Sequence, residues 1–165
     1  MSKSLDDLKA AFAGESQANR KYLAFAQKAD AEGFSQAAKL FRAAAEAETV
    51  HAHNHLRAME GIHSTAENLK EAIAGENYEH TQMYPAFVKD AKEEGHAKAI
   101  RSFESAMAVE VEHETLYKEA LANLDKPGET YDYYICPICG HTHARNAPDK
   151  CPICGAPGSK FIKVS

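Results

Sequence analysis

The first 124 residues of the chain contain the same helical pattern twice. Residues 8–15, LKAAFAGE, return as residues 69–76, LKEAIAGE, displaced by 61 positions. Further along, the displacement is 62, and it relates Tyr22 to Tyr84, Phe25 to Phe87, Phe41 to Phe103, Glu48 to Glu110 and His51 to His113. Both copies are rich in Ala, Glu, Lys, Leu and Gln, which favour helices. The repeat predicts two helical hairpins of one design, which can pair about a pseudo-twofold axis.

Glycines and a capping box divide the repeated region into four helices. Gly33, Gly61 and Gly95 interrupt the apolar periodicity, and residues 64–67, STAE, have the pattern of a capping box. We expect helices over 4–31, 34–59, 65–93 and 96–123, each about 38 Å long. The predicted fold class is therefore an all-α four-helix bundle, followed by a small C-terminal metal-binding domain.

The change in displacement from 61 to 62 places one extra residue between Glu76 and Tyr84, inside the third predicted helix. An inserted residue in a helix is often absorbed as a π-bulge, and such bulges concentrate at functional sites. Pro85 adds to the disturbance, because it cannot donate a hydrogen bond to the carbonyl of Thr81. We predict a local irregularity in this stretch.

Each copy of the repeat has a glutamate on its first helix and a Glu-x-x-His pattern on its second. The members of this set are Glu15, Glu48 and His51 in the first copy and Glu76, Glu110 and His113 in the second. Residues at i and i+3 project from one helix face, so a Glu and a His at this spacing can bind the same ion. This set of ligands is the one that ferritin-like di-metal carboxylate proteins use. Its mixture of oxygen and nitrogen donors suits iron or manganese.

A single Glu-x-x-His is most often part of a solvated helix face, so the repetition matters. Gly14 and Gly75 each cost a helix interior about 1 kcal/mol relative to Ala, which a constrained site would explain. Apolar flanking residues predict that the glutamates lie on the buried stripe, where a metal ion offsets the cost of burying their charge. The third helix has an additional carboxylate, Glu79, where the first copy has Gln17 or Ala18. The expected site is therefore asymmetric.

Other tyrosines and histidines near this set have weaker assignments. Tyr22 and Tyr84 are repeated, and each is either a hydrogen-bond donor to a ligand glutamate or a core aromatic with its hydroxyl in solvent. His80 is the unrepeated histidine of most interest, because it follows Glu79 directly. The remaining unrepeated histidines of the bundle are expected at the surface or behind the ligands: His53, His55, His63 and His96.

The composition of the chain changes near Asp125. Five of the six prolines and all four cysteines lie beyond this point, so we expect a linker at 125–129 and a second domain at 130–165. The cysteines form two C-P-x-C-G knuckles, which predict a tetrahedral metal site: Cys136, Cys139, Cys151 and Cys154. Zinc ribbons and iron rubredoxins share this knuckle. A small aromatic core fits the rubredoxin alternative: Tyr131, Tyr133, Tyr134 and Phe161.

The two sets of motifs together resemble the rubrerythrin family, a ferritin-like di-iron bundle followed by a rubredoxin-like domain, and the resemblance covers nearly the whole chain. The change in composition gives the bundle domain the bounds 1–124, and the resemblance implies a mononuclear iron on the four cysteines. It implies a dinuclear iron site with these ligands: Glu15, Glu48, His51, Glu76, Glu79, Glu110 and His113. His51 and Glu79 would exchange at one iron on redox change. The implied activity is reduction of hydrogen peroxide to water, with electrons from NAD(P)H through reductase or rubredoxin-type partners, as protection from oxidative stress.

The connection between the second and third helices is short for a ferritin-like bundle within one chain. These two helices run parallel in that arrangement, so the connection must travel the length of the bundle, about 38 Å. Residues 60–64 reach at most about 18 Å. We therefore predict a swapped homodimer, in which helices one and two of one chain pair with helices three and four of another. The alternative is that the helix ends unwind, making residues 55–67 a stretched crossover.

Charge and hydropathy exclude several other classes of protein. The net charge of −5 argues against a nucleic-acid partner. There is no apolar run of membrane-spanning length and no apolar signal core at the N-terminus, so we expect a cytoplasmic protein without a membrane partner. Two other functions remain open: iron oxidation or storage, and a zinc-ribbon protein whose bundle is a binding module. The C-terminal electron-transfer domain argues against storage, and the predicted Glu/His set argues against the binding module.

Overall fold

The computed structural model describes residues 2–126 and 128–165, and it divides into two compact units, Met1–His63 and Ser64–Ser165. The four predicted helices are confirmed, with ends that differ from the expected ones by a single residue at most. Within the described residues, no helix combines the length and apolar character that crossing a bilayer requires.

The first unit is a helical hairpin of α1 (Lys3–Ala31) and α2 (Ser35–Ala58). The Ser2 side chain caps α1 by accepting a hydrogen bond from the Leu5 N–H. Gly33 has φ of 82°, a left-handed conformation that a side chain would strain, and it makes the tight turn between the helices possible. Small buried side chains line the contact between the helices, which allows close packing: Ala26, Ala29, Ala38, Ala45 and Ala52.

The second unit begins with a helix in three continuous parts: α3 (Thr65–Tyr78), a π-helical turn (Glu79–Met83) and α4 (Tyr84–Glu93). The predicted capping box is present, since Ser64 and Glu67 satisfy each other's backbone N–H groups. In the π turn, the N–H of Tyr84 donates to the carbonyl of Glu79, five residues earlier. The predicted irregularity is therefore confirmed as a π-bulge at the position of the extra residue. The helix α5 (Ala97–Ala122) completes the second hairpin.

Each hairpin contains an aromatic cluster built from the matched positions of the repeat. In the first hairpin, the rings of Tyr22, Phe25 and Phe41 have centroids 5.6–6.3 Å apart. In the second hairpin, the equivalent rings have centroids 5.5–6.3 Å apart, and they belong to Tyr84, Phe87 and Phe103. The alignment of the two copies, with its single extra residue, is confirmed in three dimensions.

The cysteine-containing segment forms a three-stranded antiparallel sheet with the order β2-β1-β3. The strands are β1 (Tyr133–Ile135), β2 (Thr142–Ala144) and β3 (Ile162–Val164), and a 3-10 turn precedes β3 at Gly158–Lys160. The rings of Tyr131 and Tyr133 pack 5.4 Å apart, and the ring of Phe161 packs against His141. The strand β2 contacts α5 within this unit.

Candidate metal centres

The four cysteines converge on one point between the two knuckles. The Sγ atoms of Cys136 and Cys154 are 3.6 Å apart, as are those of Cys139 and Cys151, and all four are free thiols. A tetrahedron with metal–sulfur bonds of about 2.3 Å has sulfur–sulfur edges of about 3.8 Å. The spacing therefore fits one tetrahedral metal ion and is much too long for a disulfide, whose sulfur–sulfur bond is about 2.05 Å.

Backbone N–H groups of the knuckles point at the sulfur atoms. The N–H of His141 donates to the Cys139 sulfur, and the N–H of Ala156 donates to that of Cys154. Burial opposes ionisation of Cys151, but hydrogen bonds from two backbone N–H groups lower its pKa to about 7. Burial and the neighbouring thiols raise the pKa of Cys139 to about 12. Four thiolates therefore need a cation among them, which is the chemistry of a rubredoxin-type iron site.

The first hairpin brings together one carboxylate from α1 and a Glu–His pair from α2. Donor atoms of Glu15, Glu48 and His51 all lie within 4.8 Å of one another. The His51 Nδ1 is 2.8 Å from an oxygen of Glu48. The Glu48 side chain is 19% exposed and the His51 side chain is 54% exposed within this unit. We refer to these three residues as the first half-site.

The second hairpin repeats this arrangement with Glu76 from α3 and Glu110 and His113 from α5, which we call the second half-site. Its donor atoms again lie within 4.8 Å of one another. The His113 Nδ1 is 2.8 Å from an oxygen of Glu110 and 3.8 Å from one of Glu76. In both half-sites the Nδ1 atom faces the carboxylates, so the repeat is preserved at the level of single atoms.

Negative charge is concentrated at the second half-site. Burial, followed by the charge of Glu110 and a hydrogen bond to it, raises the pKa of Glu76 from 4.5 to about 7. Burial and Glu110 also raise the pKa of Glu79, which lies in the π turn, although His113 opposes this effect. Burial and the same three carboxylates raise the pKa of Tyr84. Crowded, partly buried carboxylates are stabilised by a bound cation, so the donor set fits the di-iron centre of a ferritin-like domain.

Sequence reasoning missed a buried ionic cluster behind this half-site. Glu114 is 7% exposed, and its carboxylate accepts hydrogen bonds from Asn77, His80 and Lys118 at 2.7–3.1 Å. Hydrogen bonds from Lys118 and His80 lower the pKa of Glu114 to about 2. His80 follows Glu79 in the chain, but its hydrogen-bond partner, Glu114, is 34 residues away and belongs to no motif.

Two residues at the contact between α5 and the sheet were also missed. The Nε2 atom of His113 lies 2.9 Å from the Thr142 hydroxyl on β2. His141 is 3% exposed, and neither ring nitrogen has a hydrogen-bond partner in the part of the chain that the structure describes. Four other unrepeated histidines of the bundle lie outside the clusters of ligand atoms found among the described residues: His53, His55, His63 and His96. Of these, His96 caps the N-terminus of α5.

Comparisons with known proteins match both parts of the chain. A family model described as rubrerythrin matches residues 6–121, and one described as the rubredoxin-like domain of rubrerythrin matches residues 134–162. The chain is 38% identical to nigerythrin from Nitratidesulfovibrio vulgaris, over 95% of this chain and 84% of that protein. It is also 38% identical to a rubrerythrin from Porphyromonas gingivalis, over 97% of this chain and 89% of that protein. A structure of nigerythrin in its fully reduced, all-ferrous state matches with a TM-score of 0.61 and 36% identity, covering 99% of this chain and 88% of that one.

Proposed function

Because the chain belongs to the rubrerythrin family of oxidoreductases, we propose that it is a non-haem di-iron peroxidase that reduces hydrogen peroxide to water and protects against oxidative stress. The observation that carries the proposal is the presence, in one chain, of two matched Glu/Glu/His half-sites and a four-cysteine site. The proposed domains are the bundle at 1–124, a linker at 125–129 and the rubredoxin-like domain at 130–165. The two family matches, at 6–121 and 134–162, support this division.

The proposed reaction consumes one hydrogen peroxide, two electrons and two protons and yields two water molecules. When bound, a pair of ferrous ions supplies both electrons together and the four-cysteine iron replaces them one at a time. The six residues of the two half-sites and Glu79 would hold the dinuclear ions, and the four cysteines would hold the single ion. Burial and the nearby carboxylates raise the pKa of Tyr84, so its hydroxyl is protonated, and its proposed role is to donate a hydrogen bond to one of those carboxylates. Tyr22 has the same proposed role at the first half-site.

Two separate observations, one on each residue, support the proposed exchange of His51 and Glu79 at one iron. Glu79 is the extra carboxylate, and it lies in the π turn, where the wider helix adds a residue to one face. His51 is the more exposed histidine of the two half-sites. The proposed asymmetry therefore rests on the one place where the two copies of the repeat differ in length.

The swapped homodimer is the proposed assembly. The helix α2 remains helical as far as Ala58, and α3 begins at Thr65, directly after its N-cap Ser64. Six residues, 59–64, therefore connect the two helices. Six residues reach at most about 21 Å, whereas the 24 residues of α2 extend over about 36 Å. A crossover along the full length of a bundle would require several turns of α2 or α3 to unwind. Each dinuclear site would then take Glu15, Glu48 and His51 from one chain and the other four ligands from its mate.

Mixed dimers test this assembly. A Glu48→Ala chain and a Glu110→Ala chain are refolded together, and the dinuclear iron content of the mixture is measured. In a swapped dimer, each heterodimer has one intact site and one site that lacks both residues. Random pairing then restores about a quarter of the wild-type sites. An unswapped fold predicts no intact site in any dimer, and that result would refute the swap.

Peroxide consumption tests the proposed activity. The iron-loaded protein is mixed with NAD(P)H, a reductase, a rubredoxin-type donor and hydrogen peroxide without oxygen, and nucleotide oxidation is followed. A ferric ion on four thiolates gives a red protein and zinc gives a colourless one, so the absorption spectrum verifies loading first. Oxidation of added ferrous iron by oxygen, with iron retained beyond the two proposed centres and no peroxide turnover, would instead favour the storage alternative. We propose that the reaction takes place in the cytoplasm.

A further inference from the structure

The two ring nitrogens of His113 have different partners, the carboxylates of the second half-site and a threonine of the sheet. Its Nδ1 faces Glu110 and Glu76, whereas its Nε2 lies 2.9 Å from the hydroxyl oxygen of Thr142 on β2. A neutral imidazole has one nitrogen with a proton and one with a free lone pair. If Nδ1 is the metal ligand, Nε2 carries the proton and donates it to the Thr142 oxygen. Such an outer hydrogen bond fixes both the tautomer and the ring orientation of a histidine ligand.

Thr142 is itself connected to the four-cysteine site. Its hydroxyl lies 3.4 Å from the carbonyl oxygen of Gly140, toward which its own proton points. Gly140 follows Cys139 in the chain, and its N–H donates to the carbonyl of Cys136. A continuous path therefore runs from the His113 ring, through two hydrogen bonds and the backbone of Gly140, to Cys139 of the four-cysteine site. Every residue of this path belongs to the same compact unit.

The surroundings of this pair are mainly apolar. A cavity of about 430 Å³ adjoins His113 and Thr142, and its other lining side chains are mainly apolar, including Leu69, Leu116 and Ile135. The His113 side chain is 27% exposed, half the value of its counterpart His51 in the first hairpin. Hydrogen bonds are stronger in apolar surroundings, and a donor left without its acceptor there is costly.

We propose that Thr142 is a positioning residue for His113. It holds the ligand histidine in the Nε2–H tautomer and joins the second half-site to the four-cysteine site of the same chain as a route for electrons. The electron route rests on the proposed function: each transfer oxidises one ferrous four-cysteine iron and reduces one ferric ion of the dinuclear centre. Two transfers restore the electron pair that hydrogen peroxide removes. The tautomer assignment does not depend on that function.

Two substitutions of Thr142 separate the effect of its hydroxyl group from the effect of its side-chain shape. Thr142→Val removes the acceptor and keeps the volume, whereas Thr142→Ser keeps the hydroxyl. The matched control is Thr115→Val, because the Thr115 hydroxyl is exposed and donates to the α5 backbone at Val111. The ferric four-thiolate spectrum of each full-length protein shows whether the rubredoxin-like domain is folded.

The first measurement uses the full-length protein loaded with zinc, which has no redox chemistry. Nitrogen-15 NMR of the histidine rings reports the tautomer of His113 and the solvent exchange of its Nε2 proton. We expect a protected Nε2 proton in the wild type, the Ser variant and the Thr115→Val control, with its protection lost in Thr142→Val. A His113 signal that is the same in Thr142→Val and wild type would overturn the proposal.

The second measurement uses the fully reduced iron protein in a stopped-flow instrument. One equivalent of hydrogen peroxide per dinuclear centre is added, and the appearance of the ferric four-thiolate absorption is timed. We expect Thr142→Val to slow this phase roughly 10–100-fold, the effect typical of removing an outer partner of a metal ligand. The Ser variant and the control should retain the wild-type rate, and a wild-type rate in Thr142→Val would refute the route. Failure of peroxide to oxidise the wild type at all would refute the proposed function, and the NMR result would still decide the role of Thr142.

Discussion

Several carboxylates crowd together at the second half-site. We therefore predict that one of its candidate ligands, Glu76, destabilises the folded protein when no metal is bound. The pKa of Glu76 rises from 4.5 to about 7 on folding, because its side chain is buried and lies beside Glu110 and Glu79. Each pKa unit corresponds to about 1.4 kcal/mol, so the shift has a ceiling of about 3 kcal/mol. The side chain is 19% exposed, and partial solvent screening reduces the expected effect to about 1–3 kcal/mol.

The pH dependence of this effect has a definite sign. The unfolded chain releases the Glu76 proton near pH 4.5, whereas the folded metal-free chain retains it until about pH 7. The folded state therefore binds more protons between these values, and the free energy of unfolding decreases as pH rises through this window. The ionised Glu76 therefore lowers the free energy of unfolding by its full amount above pH 7 and has no effect below pH 4.5.

The substitution Glu76→Gln isolates this penalty. A glutamine resembles the protonated glutamate, and its amide can donate the hydrogen bond to Glu110. The metal-free variant should equal the wild type in stability near pH 4.5 and exceed it by about 1–3 kcal/mol at pH 8.5, measured by urea denaturation at equal protein concentration.

Glu71→Gln is the control, since Glu71 is exposed on the same helix. With iron bound, the sign should reverse, because the variant lacks a ligand. A metal-free variant that is less stable than the wild type at pH 8.5, or a difference independent of pH, would refute the reasoning.

Three further substitutions test other parts of the structure. In Gly158→Ala the new Cβ would overlap the carbonyl oxygen of Pro148, so the four-cysteine domain should lose its metal to a chelator faster than the wild type does. Glu114→Gln should lower the melting temperature at pH 7, and the deficit should disappear as pH falls from 4.5 toward 2, because the lowered pKa of Glu114 stabilises the folded state only while the carboxylate is ionised. Asn19→Ala should cost about 1–3 kcal/mol in urea denaturation, since the buried Asn19 amide donates to two oxygens of α2.

The helices and the positions of the two half-sites were accessible from the sequence because both depend on local spacing. The i, i+3 relation of Glu110 and His113 is a property of any α-helix, and the repeat shows that it recurs. The π turn was predictable for a similar reason: a displacement that changes from 61 to 62 inside a helix has few structural solutions. The knuckles are equally local, since each places two cysteines three residues apart.

The partners of these residues were not accessible, because they are set by packing between distant segments. Glu114 accepts a hydrogen bond from His80, 34 residues away in sequence, and Thr142 contacts His113, 29 residues away. Neither Glu114 nor Thr142 belongs to a repeated pattern. The buried state of His141 was missed as well, since a histidine after a knuckle glycine has no periodicity that indicates burial. Sequence spacing identified the candidate ligands, whereas their contacts with distant segments became visible only in the fold.

The π turn at Glu79–Met83 shows how one copy of a repeated hairpin can accommodate an extra residue without losing its packing. An extra residue in an ordinary helix rotates everything after it by about 100°, which would swing Tyr84 and Phe87 away from Phe103. Here the π turn accommodates the insertion. The aromatic cluster of the second hairpin therefore keeps nearly the same ring spacings as the cluster of the first hairpin. The difference in length between the two copies is thus located in this five-residue turn, and the packing on either side of it is retained.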